Sequence, residues 1–287
     1  MSEKSDLSNI KKLREITGVG FKDCKSALDE NNGDIEKSIE FLRKKGIAKA
    51  SKKMSRVASD GLVTIAEKSG EMAIIEINSE TDFVAKNEDF INFCKEISRL
   101  NLTVKSDLNK LTNVKMQNNL AVAESLIGLI SKIGEKITIR RSKFFDNKYG
   151  QNYFYIHSGI NDISGKIISV VKLKGPKEDT DKIGQKIAMH IAATSPLSID
   201  KNGLNNEILK KEREIIIEEL RNEGKKEEMI KKISEGKINK FISENTLLSQ
   251  VWIMDPKKKV KDIIDENSTK DKIIINDFAR FKVGEGL

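Results

Sequence analysis

The chain reads as an α+β protein: a three-helix N-terminal module, a core of two α+β subdomains with antiparallel sheets, and an antiparallel helical hairpin of coiled-coil type. Three observations predict this. Apolar residues recur at helical spacing through the first 46 residues. Two β-branched regions follow, each succeeded by helical periodicity. A late stretch of high charge density keeps a narrow apolar seam on either side of a Gly break. With only 3 Pro in 287 residues, long helices run unbroken.

Leu7 to Thr17 has the pattern of a first helix, Gly18-Val19-Gly20 of a turn, and Phe21 to Glu30 of a second helix whose Cys24, Ala27 and Leu28 share a face. After Asn31-Asn32-Gly33, Asp34 is placed to cap a third helix carrying Ile35, Ile39 and Leu42 at i, i+4 and i+7, and Gly46 is expected to stop it. Ile47 to Ser59 turns to Lys, Ala and Ser, with Lys49, Lys52, Lys53 and Arg56 close together, and reads as a helical or flexible basic linker. Gly61 to Ala66 and Met72 to Asn78 flank Lys68-Ser69-Gly70 as a hairpin. Ser79 to Lys86 is a loop, and Asn87 caps a helix with Phe90, Phe93, Cys94 and Ile97 on one face. Beyond the polar stretch Asn101 to Asn119, Val122, Leu126, Leu129 and Ile133 mark a helix that Gly134 stops.

The alternation then repeats. Strands are expected over Lys136 to Phe145, Asn152 to His157 and Lys166 to Lys174, then a helix with Ile183, Ile187 and Ile191 ended by Ser195-Pro196. Asn205 to Asn222 and Lys225 to Phe241, broken at Glu223-Gly224, form the hairpin, with Leu209, Ile216, Leu220, Met229, Ile230 and Ile233 as its seam. The expected organisation is therefore 1–46, a linker over 47–59, one core subdomain over 60–135, a second over 136–203 with 242–287, and the hairpin over 204–241.

Composition narrows the function. The apolar set makes up 38% of the chain, enough for a sizeable core, and the net charge of +8 is mildly basic, a weak pointer to an acidic or anionic partner. Cys24 and Cys94 are too few and too far apart for a disulfide framework or a cysteine-ligated zinc, so a reducing, cytoplasmic setting is expected. No apolar run is long enough to span a membrane, and Met1 to Ile10 has no leader character.

A search for catalytic machinery leaves little. Thr17-Gly18-Val19-Gly20 lacks the Lys-Ser/Thr of a phosphate loop and reads as a turn. His157 and His190 have no ligand-spaced partners; His190 suits a packing role, whereas His157, at a strand end beside Ser158-Gly159, fits a packing role and a surface that meets a partner about equally. No enzyme activity, no metal and no cofactor are expected. The informative loop is Ser79-Glu80-Thr81-Asp82-Phe83-Val84-Ala85-Lys86. It is either a plain connection in which Phe83 or Val84 staples the next helix, or a presented wedge, an aromatic beside an acid on a rigid frame. The basic linker and Lys257-Lys258-Lys259 keep open an RNA-binding or ribosome-associated reading, although no aromatics interleave with these lysines. The hairpin seam suits self-packing or a homodimer contact better than a ligand groove.

Several of these segments together resemble one family. Leu13-Arg14-Glu15-Ile16-Thr17-Gly18-Val19-Gly20, Asp23-Cys24-Lys25 and Asn32-Gly33-Asp34-Ile35-Glu36 are similar to the N-terminal signature of translation elongation factor Ts. Glu76 to Lys86 is similar to its second signature. Lys132-Ile133-Gly134-Glu135, Ile139-Arg140-Arg141, Ile187 to Ala193, Met254-Asp255-Pro256 and Arg280 to Gly286 follow in the family's order. The resemblance runs from about residue 7 to the end. Phe21-Lys22 departs from the more usual pair of methionines, and Trp252-Ile253 from Phe-Val.

This resemblance implies a guanine nucleotide exchange factor for the GTPase elongation factor Tu, with an N-terminal module like ubiquitin-associated domains and a protruding hairpin. It implies that Thr81, Asp82, Phe83 and Val84 form a wedge that disturbs the partner's magnesium site. It further implies partner contacts at Lys11, Arg14, Phe21, Lys25, Asn78, Ile133, Gly134, His157, Ile253 and Met254. No direct nucleotide, DNA or membrane binding is implied.

Overall fold

The computed structural model describes residues 6–17 and 19–287, without the side chains of Ile47, Lys49 and Lys52. Gly18 of the predicted turn, the first half of the segment Met1 to Ile10, and the side chains of two of the four linker cations lie outside what is described. The chain is α+β and forms two compact units. The first takes the chain up to Phe144 with Ser158–Lys166 and Phe281–Leu287; the second takes Phe145–His157 and Ile167–Arg280.

The first unit opens with α1 (Leu7–Thr17), α2 (Phe21–Glu30) and α3 (Ile35–Lys53), packed around Ile10, Leu13, Cys24, Ala27, Leu28 and Leu42. Asp34 caps α3 by accepting the Lys37 N–H at 3.0 Å. Gly46 does not stop α3, contrary to the sequence expectation. The helix runs seven residues further, to Lys53, and packs against α7 (Val122–Ile133). A Cβ at Gly46 would lie 2.7 Å from Ser131 Oγ, so this glycine permits a close helix approach instead of ending a helix. Ala48 and Ala50 on its far side sustain the helix against the roughly 1 kcal/mol cost of glycine.

The strands β1 (Asp60–Lys68) and β2 (Glu71–Ser79) pair antiparallel from Asp60↔Ser79 to Lys68↔Glu71. Ser69 and Gly70 join them with φ of 52° and 80°, the left-handed pair that a two-residue hairpin needs to match strand twist. β3 (Ile137–Phe145) lies on the other side of β2. Between β2 and β3 come α4 (Asp82–Ala85), α5 (Glu88–Thr103), α6 (Leu108–Leu111) and α7. Asn87 caps α5 from both Asp89 and Phe90 N–H groups, and Phe90, Phe93, Cys94 and Ile97 enter the core with Leu62, Ile75, Ile77, Ile130 and Ile137. The polar stretch 101–119 joins the same core because Leu111 and Met116 are buried there.

The second unit holds most of β5 (Ser164–Lys174), which runs between β4 (Gln151–Asn161) and β6 (Ile274–Lys282). α8 (Lys177–Thr194) buries Ile183, Ile187 and Ile191 with Val171, Leu173, Trp252, Val260 and Ile264, the last two on α11 (Val260–Asn267). It ends at Ser195, whose φ of 51° closes the helix before Pro196. The helices α9 (Asn206–Asn222) and α10 (Glu227–Asn245) pack through Ile216, Leu220, Ile230, Ile238 and Ile242, with Lys237–Glu219 and Arg221–Glu227 ion pairs across them at 3.4 and 2.8 Å. Met229, expected in the seam, is exposed; Ile230 beside it takes the buried position, so the stripe on α10 starts one residue later.

Candidate functional site

The loop after β2 is held at its base from two sides, all within the first unit. Glu80 accepts the Lys136 N–H at 2.6 Å and the Arg56 guanidinium at 3.2 and 3.3 Å. These donors, the Lys136 N–H foremost, hold its carboxyl below the usual glutamate range. Glu135 accepts the Thr81 N–H at 3.0 Å and the Thr81 hydroxyl at 2.7 Å. The Lys136 ammonium donates to the Met54 and Arg56 carbonyls at 2.7 and 2.8 Å, and the Lys53 ammonium to the Gly134 carbonyl. Two of the linker cations therefore serve internal contacts.

From this base α4 makes a single turn that faces its residues in opposite directions. Val84 is 5% exposed and Ala85 fully buried in the core, whereas Phe83 is 78% exposed. Folding buries little of this ring's apolar area, so most of it stays open to solvent. Asp82 sits beside it, half-buried and paired with Lys86 at 3.1 Å, which holds its carboxyl below the ordinary aspartate value. Around Phe83 lies a surface depression of about 360 Å³ lined by Val84, Asn87, Asp89, Lys132 and Ile133, with Lys132 and Asp89 paired at 2.8 Å.

The residues singled out from the sequence thus separate into groups. Phe83 and Ile133 line the same depression, Thr81 and Asp82 precede Phe83 on the loop, and Gly134 follows Ile133 at the C-terminal cap of α7. Val84 faces inward and anchors the turn. Asn78 is also buried, its amide donating to the Asp60 carbonyl and to Glu76 at 3.1 and 3.0 Å, so it supports the end of β2 from inside. Lys11, Arg14, Phe21 and Lys25 are all exposed on α1 and α2. His157, Ile253 and Met254 belong to the second unit, with His157 exposed beside the Tyr155 hydroxyl at 3.4 Å.

The pair Ile253–Met254, 41% and 45% exposed, is supported by buried His190. The His190 ring stacks on Trp252 with centroids 5.1 Å apart; its Nδ1 accepts the Ile253 N–H at 3.4 Å, so Nε2 carries the proton to Gln250 Oε1 at 3.0 Å. This is the packing role expected for His190. Burial lowers its pKa, against a smaller opposing effect of Gln250. An unfolded histidine binds a proton below about pH 6.5 while the folded one stays neutral. Stability is then complete above that pH and falls as the pH drops toward the lower folded value. The melting midpoint is expected to fall between about pH 7.5 and pH 5.5 more steeply for the wild type than for His190→Gln, which scanning calorimetry measures; equal slopes would remove the assignment.

Beneath the loop, fully buried Glu76 accepts from Arg140 at 3.0 Å, Arg141 at 2.6 Å, Asn78 at 3.0 Å and the Gly284 N–H at 2.9 Å. Burial pushes this carboxyl up, but the four donors outweigh it and the net shift is downward. Arg141 also lies 4.5 Å over the Phe281 ring and donates to the Lys282 carbonyl at 3.1 Å. Sequence reasoning assigned no individual role to Glu76, Glu80, Glu135 or Lys136, and read Arg56 only as part of a basic linker. The one available signal was a charge in the middle of an apolar strand, Glu76 between Ile75 and Ile77. Among the described residues, no three His, Cys, Asp or Glu side chains converge as a metal site, and no helix is long and apolar enough to cross a membrane.

Comparison with known proteins bears on this arrangement. A family model described as elongation factor TS matches residues 80–285. The chain is 39% identical over 280 residues to elongation factor Ts of Gluconobacter oxydans (strain 621H), covering 97% of this chain and 91% of that protein. It is 38% identical over 282 residues to elongation factor Ts of Nitrobacter hamburgensis (strain DSM 10229 / NCIMB 13809 / X14), with 97% and 92% covered. Against elongation factor Ts of Rickettsia bellii (strain OSU 85-389) the identity is 39% over 286 residues, with 98% and 92% covered. Matched by the family model over most of its length and by these relatives over nearly all of it, the chain belongs to the elongation factor Ts family.

Proposed function

We propose that this protein is a guanine nucleotide exchange factor for the translational GTPase elongation factor Tu, acting in the cytoplasm by pressing the Asp82-Phe83 turn into the partner near its magnesium and nucleotide. The observation that carries this reading is the exposed Phe83 ring on a loop clamped at its base. A GTPase holds its nucleotide through magnesium and phosphate-loop amides whose strength depends on geometry, so a small displacement of either loosens the ligand. Phe83 supplies apolar binding free energy for that displacement, and Asp82 brings a negative charge close to the groups that support the metal. Each ~1.4 kcal/mol of binding energy so converted weakens the nucleotide tenfold. Linkage makes the effect reciprocal: bound GDP weakens the protein–protein complex by the same factor, so incoming nucleotide releases the exchange factor. No covalent step and no nucleotide site on this chain are needed.

Lys11, Arg14, Phe21 and Lys25 on α1 and α2, Ile133 and Gly134 at the end of α7, and His157, Ile253 and Met254 are proposed as further contacts; Thr81, Val84 and Asn78 act by holding the turn. The test is stopped-flow release of a fluorescent GDP from elongation factor Tu. Catalytic amounts of this chain are expected to accelerate release, and excess GDP to dissolve the nucleotide-free complex. Release that proceeds at the spontaneous rate sinks the proposal.

A further inference from the structure

The two segments at the base of the exchange loop trade carboxylates. Glu135 accepts the N–H and the hydroxyl of Thr81, at 3.0 and 2.7 Å, while Glu80, one residue before Thr81, accepts the N–H of Lys136, one residue after Glu135, at 2.6 Å. The Thr81 carbonyl is taken as well, by the Ser79 hydroxyl at 2.9 Å. Thr81 occupies the N-cap of α4, where a threonine oxygen ordinarily accepts from an N–H of the first turn. Here the side chain makes no such cap, because the hydroxyl is turned to Glu135. A helix of four residues has no stability of its own. Its direction is therefore set by Val84 and Ala85 on the inside and by the orientation of Thr81 at its start.

We propose that Glu135 is a positioning residue for nucleotide exchange: its carboxylate fixes Thr81, and through Thr81 the outward direction of Phe83. This rests on the exchange reading above. A ring already held in its bound direction loses little freedom when it enters a partner, whereas a loosened ring must be ordered at that moment. Loss of both hydrogen bonds is therefore expected to lower the rate of factor-stimulated GDP release about tenfold.

The chemistry also separates positioning from a direct electrostatic action on the partner. Glutamine at 135 accepts the Thr81 N–H through its oxygen and donates to the Thr81 hydroxyl through its nitrogen, which keeps the geometry and removes the charge. Glu135→Ala removes both. Stopped-flow GDP release from elongation factor Tu is measured for the wild type, Glu135→Ala and Glu135→Gln, together with the fluorine spectrum of each full-length protein labelled with 4-fluorophenylalanine at position 83. Glu135→Ala is expected to lose about tenfold in release rate and to show a shifted, narrowed fluorine line in the absence of partner. Glu135→Gln is expected to keep most of both wild-type values.

An unchanged rate in Glu135→Ala overturns the assignment, as does an unmoved fluorine line accompanying a lost rate. Equal losses in the two variants overturn it in favour of a charge acting on the partner. A wild type that does not stimulate release at all overturns the exchange reading itself, and shows in the control before any variant is compared.

Discussion

Phe83→Ala is expected to slow factor-stimulated GDP release by roughly 30-fold or more while leaving the fold intact. The first half follows from what the ring can do only in a partner. It is 78% exposed in the free protein, so its apolar area is unspent until it is buried elsewhere. Central aromatic anchors of interfaces contribute about 2–4 kcal/mol on truncation, and the lower figure corresponds to about 30-fold. The second half follows from the same exposure, since surface truncations away from packed contacts change stability by about 0.5 kcal/mol or less. The complex is expected to weaken much less than release slows, because the remaining contact groups persist. Asp82→Ala is expected to act in the same direction with a smaller effect, its carboxylate being already paired with Lys86 at the surface. Stopped-flow release and a melting curve on the same preparation check both halves. A Phe83→Ala protein with wild-type release removes the wedge.

The loop was legible in the sequence as a choice and not as an answer. Thr81 to Ala85 fits a plain strand-to-helix connection as well as a presented wedge, because both place one apolar residue inward and leave the other undetermined. Only the turn of α4 shows which residue goes which way, with Val84 and Ala85 buried and Phe83 outside. Caps and periodicity located α2, α5, α7 and the β1–β2 hairpin closely, since those signals are local: Asn87 meets its own Asp89 and Phe90 N–H groups. Gly46 misled for the opposite reason. Its meaning depends on Ser131, 85 positions away, and a glycine demanded by close packing looks in sequence like a helix stop. The carboxylate clamp was invisible on the same grounds, as Glu80 and Glu135 read as ordinary surface charges until the fold brings the ends of β2 and α7 together.

The largest effect on stability is expected at Glu76. Glu76→Ala is expected to destabilise the first unit by about 3–5 kcal/mol, the cost of breaking a buried ion pair by removing one partner. Here the removed group is the shared one. Its two oxygens satisfy Arg140, Arg141, the Asn78 amide and the Gly284 N–H, so four donors lose their acceptor at once. Gly284 cannot readily move to compensate: its φ is +75° and a Cβ there would lie 2.2 Å from the Ser59 carbonyl oxygen, so the turn is already pressed against the chain. Glu76→Gln, which keeps the shape and one acceptor oxygen, is expected to fall between wild type and Glu76→Ala. Because the folded carboxyl titrates below its unfolded value near 4.3, its stabilisation is complete above that pH and is lost as the pH falls through the lower folded value. The acid limb of a stability profile is therefore expected to be shallower in Glu76→Ala than in the wild type. Denaturant titrations of all three proteins at neutral and acid pH measure this, and a neutral-pH difference below about 1 kcal/mol between wild type and Glu76→Ala would show that Arg140 and Arg141 find other acceptors.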